Sequence, residues 1–191
     1  LPSGANRAST ANRRASSALS TMGTITPQAP VSRAGAICHG SLPAVRMNRS
    51  FQVHTYYPFY RTFFHELGFR VILPEMIRPE GISRRGAQFC YPAEIAHGYA
   101  ADLLTKKADF TFLPHLRGLP SSNTETSCTC VFVQSEPYYL KTAFGALDVP
   151  TTLSPTIYFS DDPGRLQKAF AALAVSLGKE KQDGYRAFEK A

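Results

Sequence analysis

Three cysteines occupy positions from which a thiol can bind a metal or react. Cys90 directly precedes a helix-like segment that opens with Pro92, and Cys128 and Cys130 directly precede a short apolar run. The N-terminal end of a helix stabilises a thiolate, which is the form that binds soft metals and attacks electrophiles. We therefore take these thiols as the candidate chemistry of the chain. The alternative is that they are inert thiols of the core or of strand edges.

Around the thiols, short apolar runs alternate with longer amphipathic segments. The runs predict strands over residues 51–54, 69–73, 109–113, 130–134 and 156–159. The amphipathic segments predict helices over about 58–67, 92–106, 136–147, 163–177 and 179–191. Alternation of this kind is typical of the α/β class. We predict a Rossmann-like parallel sheet of four to five strands, with helices on both faces.

The order of these elements decides whether the thiols meet. Functional crevices of parallel sheets lie beyond the carboxyl ends of the strands. Cys90 and His115 fall at or near such ends, whereas Cys130 begins its predicted strand. Cys128 and Cys130 therefore reach the crevice only if the loop that starts at Leu116 folds back along the sheet.

The basic charge of the chain is concentrated near its beginning. The formal net charge is +7, residues 1–50 contain six arginines, and no acidic residue precedes Glu66. A charge confined to a segment rich in Ser, Ala, Thr and Pro indicates a tail and argues against a nucleic-acid partner. Arg- and Ser-rich segments without acidic residues also resemble organelle transit peptides. We predict a disordered basic tail or a non-native extension over residues 1–47, and one domain over 48–191.

The cysteine usage and the hydropathy pattern bear on the cellular compartment. No apolar run approaches the roughly 20 residues of a membrane-spanning helix, and no secretory signal core is present. The four cysteines are unevenly spaced and one of them, Cys38, lies in the predicted tail. This spacing does not indicate a disulfide framework. We predict a reducing, cytoplasmic location and no membrane partner.

Several blocks of the sequence, taken in order, resemble one known family. The blocks are His54-Thr55-Tyr56-Tyr57-Pro58-Phe59-Tyr60, Phe63-Phe64-x-x-Leu67-Gly68-Phe69-x-Val71, Cys90-Tyr91-Pro92-Ala93-Glu94-x-x-His97-Gly98, Asp109-Phe110-x-Phe112-Leu113-Pro114 and Cys130-Val131-Phe132-Val133-Gln134-Ser135. Together they resemble an uncharacterised domain of proteins related to the activases of 2-hydroxyacyl-CoA dehydratases, and the dehydratase subunits themselves. The resemblance covers about residues 48–188.

The resemblance implies iron–sulfur redox chemistry. Dehydratase-like relatives hold 4Fe-4S clusters through cysteines, and activases pass them one electron in an ATP-driven step. Cys90 and Cys130 match motif cysteines, Cys128 lies near enough to join them, and His115 stands where some relatives are expected to carry a cysteine. The resemblance thus implies a cluster held by Cys90, Cys128 and Cys130 with His115 beside them. It also implies an activase ATPase domain or a dehydratase-like subunit as the partner.

Three functions stay open on these grounds. The leading hypothesis is an iron–sulfur-binding accessory domain for one-electron transfer in a dehydratase-activase-like system. The second is a structural or partner-binding α/β domain without a cluster. The third is a zinc-stabilised fold, because three cysteines and a histidine also suit tetrahedral zinc. The sequence contains no P-loop signature and no complete catalytic constellation, so whether the chain is itself an enzyme is left open.

Two further expectations concern the packing of helices. The final segment is mostly polar but carries Tyr185 and Phe188 on one side. We predict that these rings dock on another domain, because aromatic rings on a charged helix otherwise lack a partner. In the helix that follows Cys90, we expect His97 to pack in the core and Gly98 to allow a close approach to the sheet.

Overall fold

The computed structural model describes residues 42–86, 90–120, 127–159 and 162–191. The disorder predicted for residues 1–41 therefore lies outside the described residues. Across the described ranges, no helix combines the length and the apolar character that crossing a membrane requires.

The strands form two parallel sheets. They span Ala44–Met47 (β1), Arg70–Ile72 (β2), Phe110–Phe112 (β3), His115–Gly118 (β4), Thr152–Leu153 (β5) and Thr156–Tyr158 (β6). The main sheet has the order β2-β1-β3-β5, and a smaller sheet pairs β4 with β6. Neighbouring parallel strands need crossover connections, which the helices between them provide. The predicted α/β class with a parallel sheet is confirmed.

Seven α-helices and one 3₁₀ turn surround these strands in the described residues. The helices span Val53–Glu66 (α1), Pro79–Ile82 (α2), Tyr91–Leu104 (α3), Val131–Gln134 (α4), Glu136–Ala143 (α5), Pro163–Ser176 (α6) and Lys181–Lys190 (α7), and the turn spans Gly145–Leu147. Helices α1 and α6 end at glycines with positive φ, Gly68 at 80° and Gly178 at 76°. Glycine is typical of this position, since it adopts this conformation without a steric cost.

Successive side chains of β1 face opposite sides of the sheet. Val45 and Met47 are fully buried in an aromatic core that α1 and α6 supply. Arg46 faces the other side, where its Nε donates to Thr111 Oγ1 of β3 at 2.7 Å. Its guanidinium also donates to Leu103 O of α3 at 3.4 Å and to Lys106 O, just after α3, at 3.2 Å. Arg46 therefore ties the sheet to the end of α3 and is part of the folded domain, not of a tail.

Strand β1 corrects the predicted domain boundary. The boundary was expected at residue 48, yet Ala44–Met47 is hydrogen-bonded between β2 and β3 in the main sheet. Four residues next to a long polar segment are too few for an alternating pattern to stand out. The partners that make them a strand lie far away in the sequence, as the bond from Ala44 N to Asp109 Oδ2 at 2.7 Å illustrates.

Residues 51–54 form a turn and the start of α1, so the strand predicted there is wrong. Phe51 has a φ of 42°, and α1 begins at Val53, five residues before Pro58. The amide of Val53 donates to Ser50 O and the amide of Tyr56 donates to Gln52 O, each at 3.0 Å. Four residues of mixed polarity cannot distinguish a strand from a helix start without knowledge of these bonds.

Residues 130–134 also differ from the prediction, because they form the short helix α4 and not a strand. The carbonyl of Cys130 accepts from the amides of Val133 at 3.0 Å and Gln134 at 3.1 Å. A four-residue apolar run fits a buried helical turn as well as a strand. The strand in this region is β4, which the sequence analysis had left in a loop.

The last helix packs on its own chain. Helix α7 contacts α6 and α1, and the Phe188 ring lies 5.6 Å from the Phe59 ring and 5.7 Å from the Phe170 ring, centroid to centroid. Tyr185 is half-buried, with Lys181 Nζ 5.7 Å from its ring. The prediction that both rings dock on another domain is wrong for Phe188, because the aromatic core of this chain covers that ring.

Gly98 allows another part of the chain to approach α3 closely, but that part is not the sheet that the sequence analysis expected. A Cβ atom on Gly98 would lie 2.4 Å from Ile77 Cγ2, and the carbonyl of Gly98 accepts from Arg78 N at 3.1 Å. The missing side chain thus makes room for the segment before α2, and not for the sheet.

Candidate functional site

Cys90 is placed by the start of α3, as predicted. It is the residue before the helix and has an extended backbone with φ −142° and ψ 99°. Pro92 follows in the first turn, where the missing amide costs nothing because no intrahelical acceptor exists there. Cys90 is half-buried and lines a cavity of about 420 Å³.

The cavity lies between α3, α5 and residues 84–86, which follow α2. Its apolar walls come from Ala93, Phe132 and Ala143, and its polar walls include Cys90, His97 and Tyr139. Arg84, Arg85 and Glu94 also reach it. Arg85 Nε lies 3.2 Å from Glu94 Oε1, so these two charges form an ion pair. The cavity thus combines a mainly apolar interior with a thiol, an imidazole and a phenol.

His97 and Tyr139 form a stacked pair in the wall of the cavity. His97 is buried, its Nδ1 lies 2.7 Å from the carbonyl oxygen of Ala93, and its ring lies 5.1 Å from the Tyr139 ring at an interplanar angle of 17°. Nδ1 of His97 is therefore the protonated nitrogen, since a carbonyl only accepts. The expectation that His97 packs in the core describes its burial correctly, but not its place at a cavity.

The hydroxyl of Tyr139 is the most unusual polar group of the site. It is buried, and no partner for it exists among the described residues. Burial raises the pKa of Tyr139 strongly, and the nearby Glu136, Cys90 and Cys130 raise it further. An acidic group near a phenol opposes its ionisation, and these three groups come from the start of α5, the residue before α3 and the residue before α4. Cys90 and Tyr139 also line the same cavity as Phe132, which lies two residues after Cys130.

Cys128 and Cys130 are held along β4 by the residue between them. The amide of Thr129 donates to Arg117 O at 2.9 Å, its hydroxyl donates to Leu116 O, and its carbonyl accepts from Gln134 Nε2 at 2.7 Å. The loop that starts at Leu116 therefore does return along its own strand, which was the condition for these cysteines to reach the site. Both cysteines are exposed.

His115 begins β4 and is half-buried. Its Nδ1 lies 2.8 Å from the carbonyl oxygen of Gln134, so Nδ1 carries the proton and Nε2 is left unprotonated. Burial lowers the pKa of His115, and the positive charges of Lys141 and Arg117 lower it further. The hydrogen bond to Gln134 acts in the opposite direction but does not outweigh them. The imidazole is thereby kept neutral, which is the form that binds metals.

The predicted ligands do not form a ready-made metal centre. In the ranges that the structure describes, no group of three or more His, Cys, Asp or Glu side chains is close enough to hold a metal ion. Cys90 lines the cavity, whereas Cys128, Cys130 and His115 are not among its described lining residues. The binding of a cluster by Cys90, Cys128, Cys130 and His115 stays a prediction.

A buried carboxyl group that the sequence analysis missed lies behind the site. Glu136 starts α5, and its Oε1 accepts from Asn48 Nδ2 at 2.9 Å and from the hydroxyl of Ser50. Burial raises the pKa of Glu136, although both hydrogen bonds act in the opposite direction. Asn48 Oδ1 is buried without a partner in the described part of the chain. Nothing in the sequence around Ser135-Glu136 distinguishes this group from an exposed acidic residue of a first helical turn.

Comparison with known proteins identifies the family. No curated protein and no solved structure matched the chain significantly. The sequence model of one family, the CoA enzyme activase uncharacterised domain (DUF2229), matches residues 44–191. The match begins at the first residue of β1 and runs to the end of the chain, so it includes every strand and helix given above. The chain therefore belongs to the CoA enzyme activase uncharacterised domain family, as its sequence blocks had suggested.

Proposed function

We propose that this domain supplies thiolate ligands to an iron–sulfur cluster, of 4Fe-4S type, in a CoA enzyme activase system. The observation that supports it is that Cys90 lines the same cavity as Tyr139 and as Phe132, which lies two residues after Cys130. Thiolates are the ligands that iron–sulfur clusters use. When bound, such a cluster would carry one electron between the partners of the system.

The donor types fit this role, although the full ligand set is not assembled. Cys128 and Cys130 lie on the same segment, which Thr129 holds along β4 through its hydrogen bonds, and both cysteines are exposed. His115 donates Nδ1–H to Gln134 O and keeps Nε2 for a ligand. Metal-binding histidines usually have this arrangement, in which a carbonyl orients the ring. We propose that an activase ATPase domain or a dehydratase-like subunit completes the site, because the described residues of this chain do not.

The test is anaerobic purification of the 191-residue chain, followed by iron and sulfide assays and an absorption spectrum. We expect iron and sulfide in similar amounts and a broad absorption band in the visible range. The variants Cys90→Ser and Cys130→Ser should each lose most of the iron, because serine does not replace a thiolate for this metal. Their far-ultraviolet circular dichroism should stay unchanged, because neither residue belongs to the apolar core.

The matched control is Cys38→Ser, which removes a thiol that lies outside the family match. It should keep the iron content of the parent chain. Equal iron content in Cys90→Ser, Cys130→Ser and Cys38→Ser would contradict the proposal. Zinc without iron would support a zinc-stabilised fold instead.

A partner-binding domain without a cluster is the second candidate, and one observation favours it. Tyr91, Val131 and Tyr138 are 72%, 66% and 68% exposed. Tyr91 directly follows Cys90, Val131 directly follows Cys130, and Tyr138 precedes Tyr139 on α5. Large exposed apolar side chains around a site can mark a contact surface. If no metal is retained under anaerobic conditions, this function replaces the first.

A further inference from the structure

The charges around the cavity do not cancel. Arg85 is paired with Glu94, whose carboxylate is the only one in the described lining. Arg84 has no carboxylate within ion-pair distance among the described residues, and its Nη1 donates only to the backbone carbonyl of Ala143 at 3.2 Å. Its guanidinium lies 5.2 Å from the centroid of the Phe144 ring, which holds it beside the cavity. One positive charge is therefore left over at the rim.

The start of α3 adds a second positive contribution. Cys90 precedes this 14-residue helix and lines the cavity, and the helix has no side-chain cap. Pro92 has no amide, and Glu94 of the first turn is paired with Arg85, so the amides left for an anion are those of Tyr91 and Ala93. The N-terminus of a helix carries a partial positive charge and offers amides to an anion. Arg84 and the first turn of α3 therefore both favour a negative group in the same cavity.

The interior of the cavity suits an apolar body. Phe132, Ala93 and Ala143 supply aromatic and methyl surfaces, and the stacked rings of His97 and Tyr139 form a flat wall. A volume of about 420 Å³ lies in the range of small-molecule sites.

We propose that this cavity binds a small monocarboxylate with an apolar body. The carboxylate lies at the rim between the Arg84 guanidinium and the start of α3. The acyl or aryl body lies inside, against Phe132 and the Tyr139 ring. The inference goes beyond the proposed function, because it requires neither a metal nor a redox partner.

The experiment is isothermal titration of the metal-free 191-residue chain with octanoate and with 3-phenylpropionate at up to millimolar concentrations. Octanamide, which has the same body without the charge, is the matched ligand control. We expect saturable binding of at least one carboxylate, and octanamide should bind roughly tenfold more weakly because the charge-assisted contact is lost.

Two variants locate the site, and one controls for them. Arg84→Gln should weaken carboxylate binding roughly tenfold, as the loss of one charged hydrogen-bond partner predicts. Thr142→Trp should abolish binding, because Thr142 is an exposed residue of the lining and the indole would fill the cavity without touching the core. Arg61→Gln removes an exposed arginine of α1 outside the lining and should leave binding unchanged.

Three results would overturn the proposal. These are no binding of either carboxylate, equal binding of octanoate and octanamide, and unchanged binding in both Arg84→Gln and Thr142→Trp. Because the protein is metal-free, these results do not depend on whether the thiols hold a cluster. The iron assays of the cysteine variants, in turn, do not depend on this ligand.

Discussion

At the scale of single residues, Glu136 has the clearest energetic consequence. Its carboxyl group is buried and accepts hydrogen bonds from Asn48 and Ser50, and no described cation pairs with it. Because burial raises its pKa above the ordinary value of 4.5, the folded chain binds this proton more tightly than the unfolded chain does. The stability from this group is complete below the ordinary value and is lost as the pH rises through the raised value.

Glu136→Gln should remove this part of the pH dependence. Glutamine stays neutral and keeps a carbonyl oxygen as an acceptor for Asn48 and Ser50. The stability of this variant relative to the parent should therefore increase between about pH 5 and about pH 8. The measurement is the free energy of unfolding in urea at both pH values. A stability difference that is constant with pH would contradict the prediction.

Glu136→Ala is the companion variant and separates charge from hydrogen bonding. It leaves the Asn48 amide and the Ser50 hydroxyl without their acceptor. Each unsatisfied buried donor costs about 1 to 3 kcal/mol, so this variant should be less stable than the glutamine variant at both pH values.

At the scale of elements, the contact between α6 and α7 depends on one glycine. A Cβ atom on Gly184 would lie 2.7 Å from Ala171 Cα and 2.7 Å from Ala174 Cβ. These neighbours are backbone and methyl atoms of a packed helix, so they cannot rotate away. The close approach also allows α7 to place Phe188 on the aromatic rings of α1 and α6.

Gly184→Ala should therefore destabilise the fold although alanine favours helices. Overpacking costs about 1 to 3 kcal/mol, and the gain in helix propensity returns roughly 1 kcal/mol. We expect a net loss of about 1 kcal/mol in the free energy of unfolding, measured in urea. Gly145→Ala is the control, since a Cβ there meets nothing within 4 Å. The same change in stability for both variants would show that the helix contact is not responsible.

At the scale of the whole molecule, β1 holds the main sheet together. It lies between β2 and β3. Its Arg46 binds the end of α3, and its Ala44 binds Asp109, the residue before β3. Removing it would separate β2 from the rest of the sheet and expose the core on which Val45 and Met47 pack.

Two deletions test this arrangement. A variant that lacks residues 1–41 should unfold with the same midpoint as the parent chain, because it keeps β1 and the whole of the family match, residues 44–191. A variant that lacks residues 1–47 should not fold cooperatively, because it loses the central strand. Thermal unfolding followed by circular dichroism distinguishes the two. Cooperative unfolding of the shorter variant would support the boundary that the sequence analysis placed at residue 48.

The sequence by itself determined the elements that have a long apolar face and end near a residue, such as glycine, that stops a helix. Helices α3 and α6 were predicted because each runs for 14 residues with an apolar face, and the latter ends before Gly178. The α/β class followed from their alternation with apolar runs, and the five sequence blocks, taken together in order, suggested the family. Local periodicity carries this information, since it needs no partner from elsewhere in the chain.

The tertiary structure alone decided the short elements and the site. Ala44–Met47 is a strand only because β2 and β3 pair with it, and Cys130 starts a helix because its carbonyl accepts from Gln134. Glu136 and Tyr139 are unusual because distant segments exclude water from them, which no pattern around them reveals. Burial and pairing are long-range properties. A sequence can therefore predict which thiols to examine, while only the fold shows that Cys90 lines a cavity together with Phe132 and Tyr139.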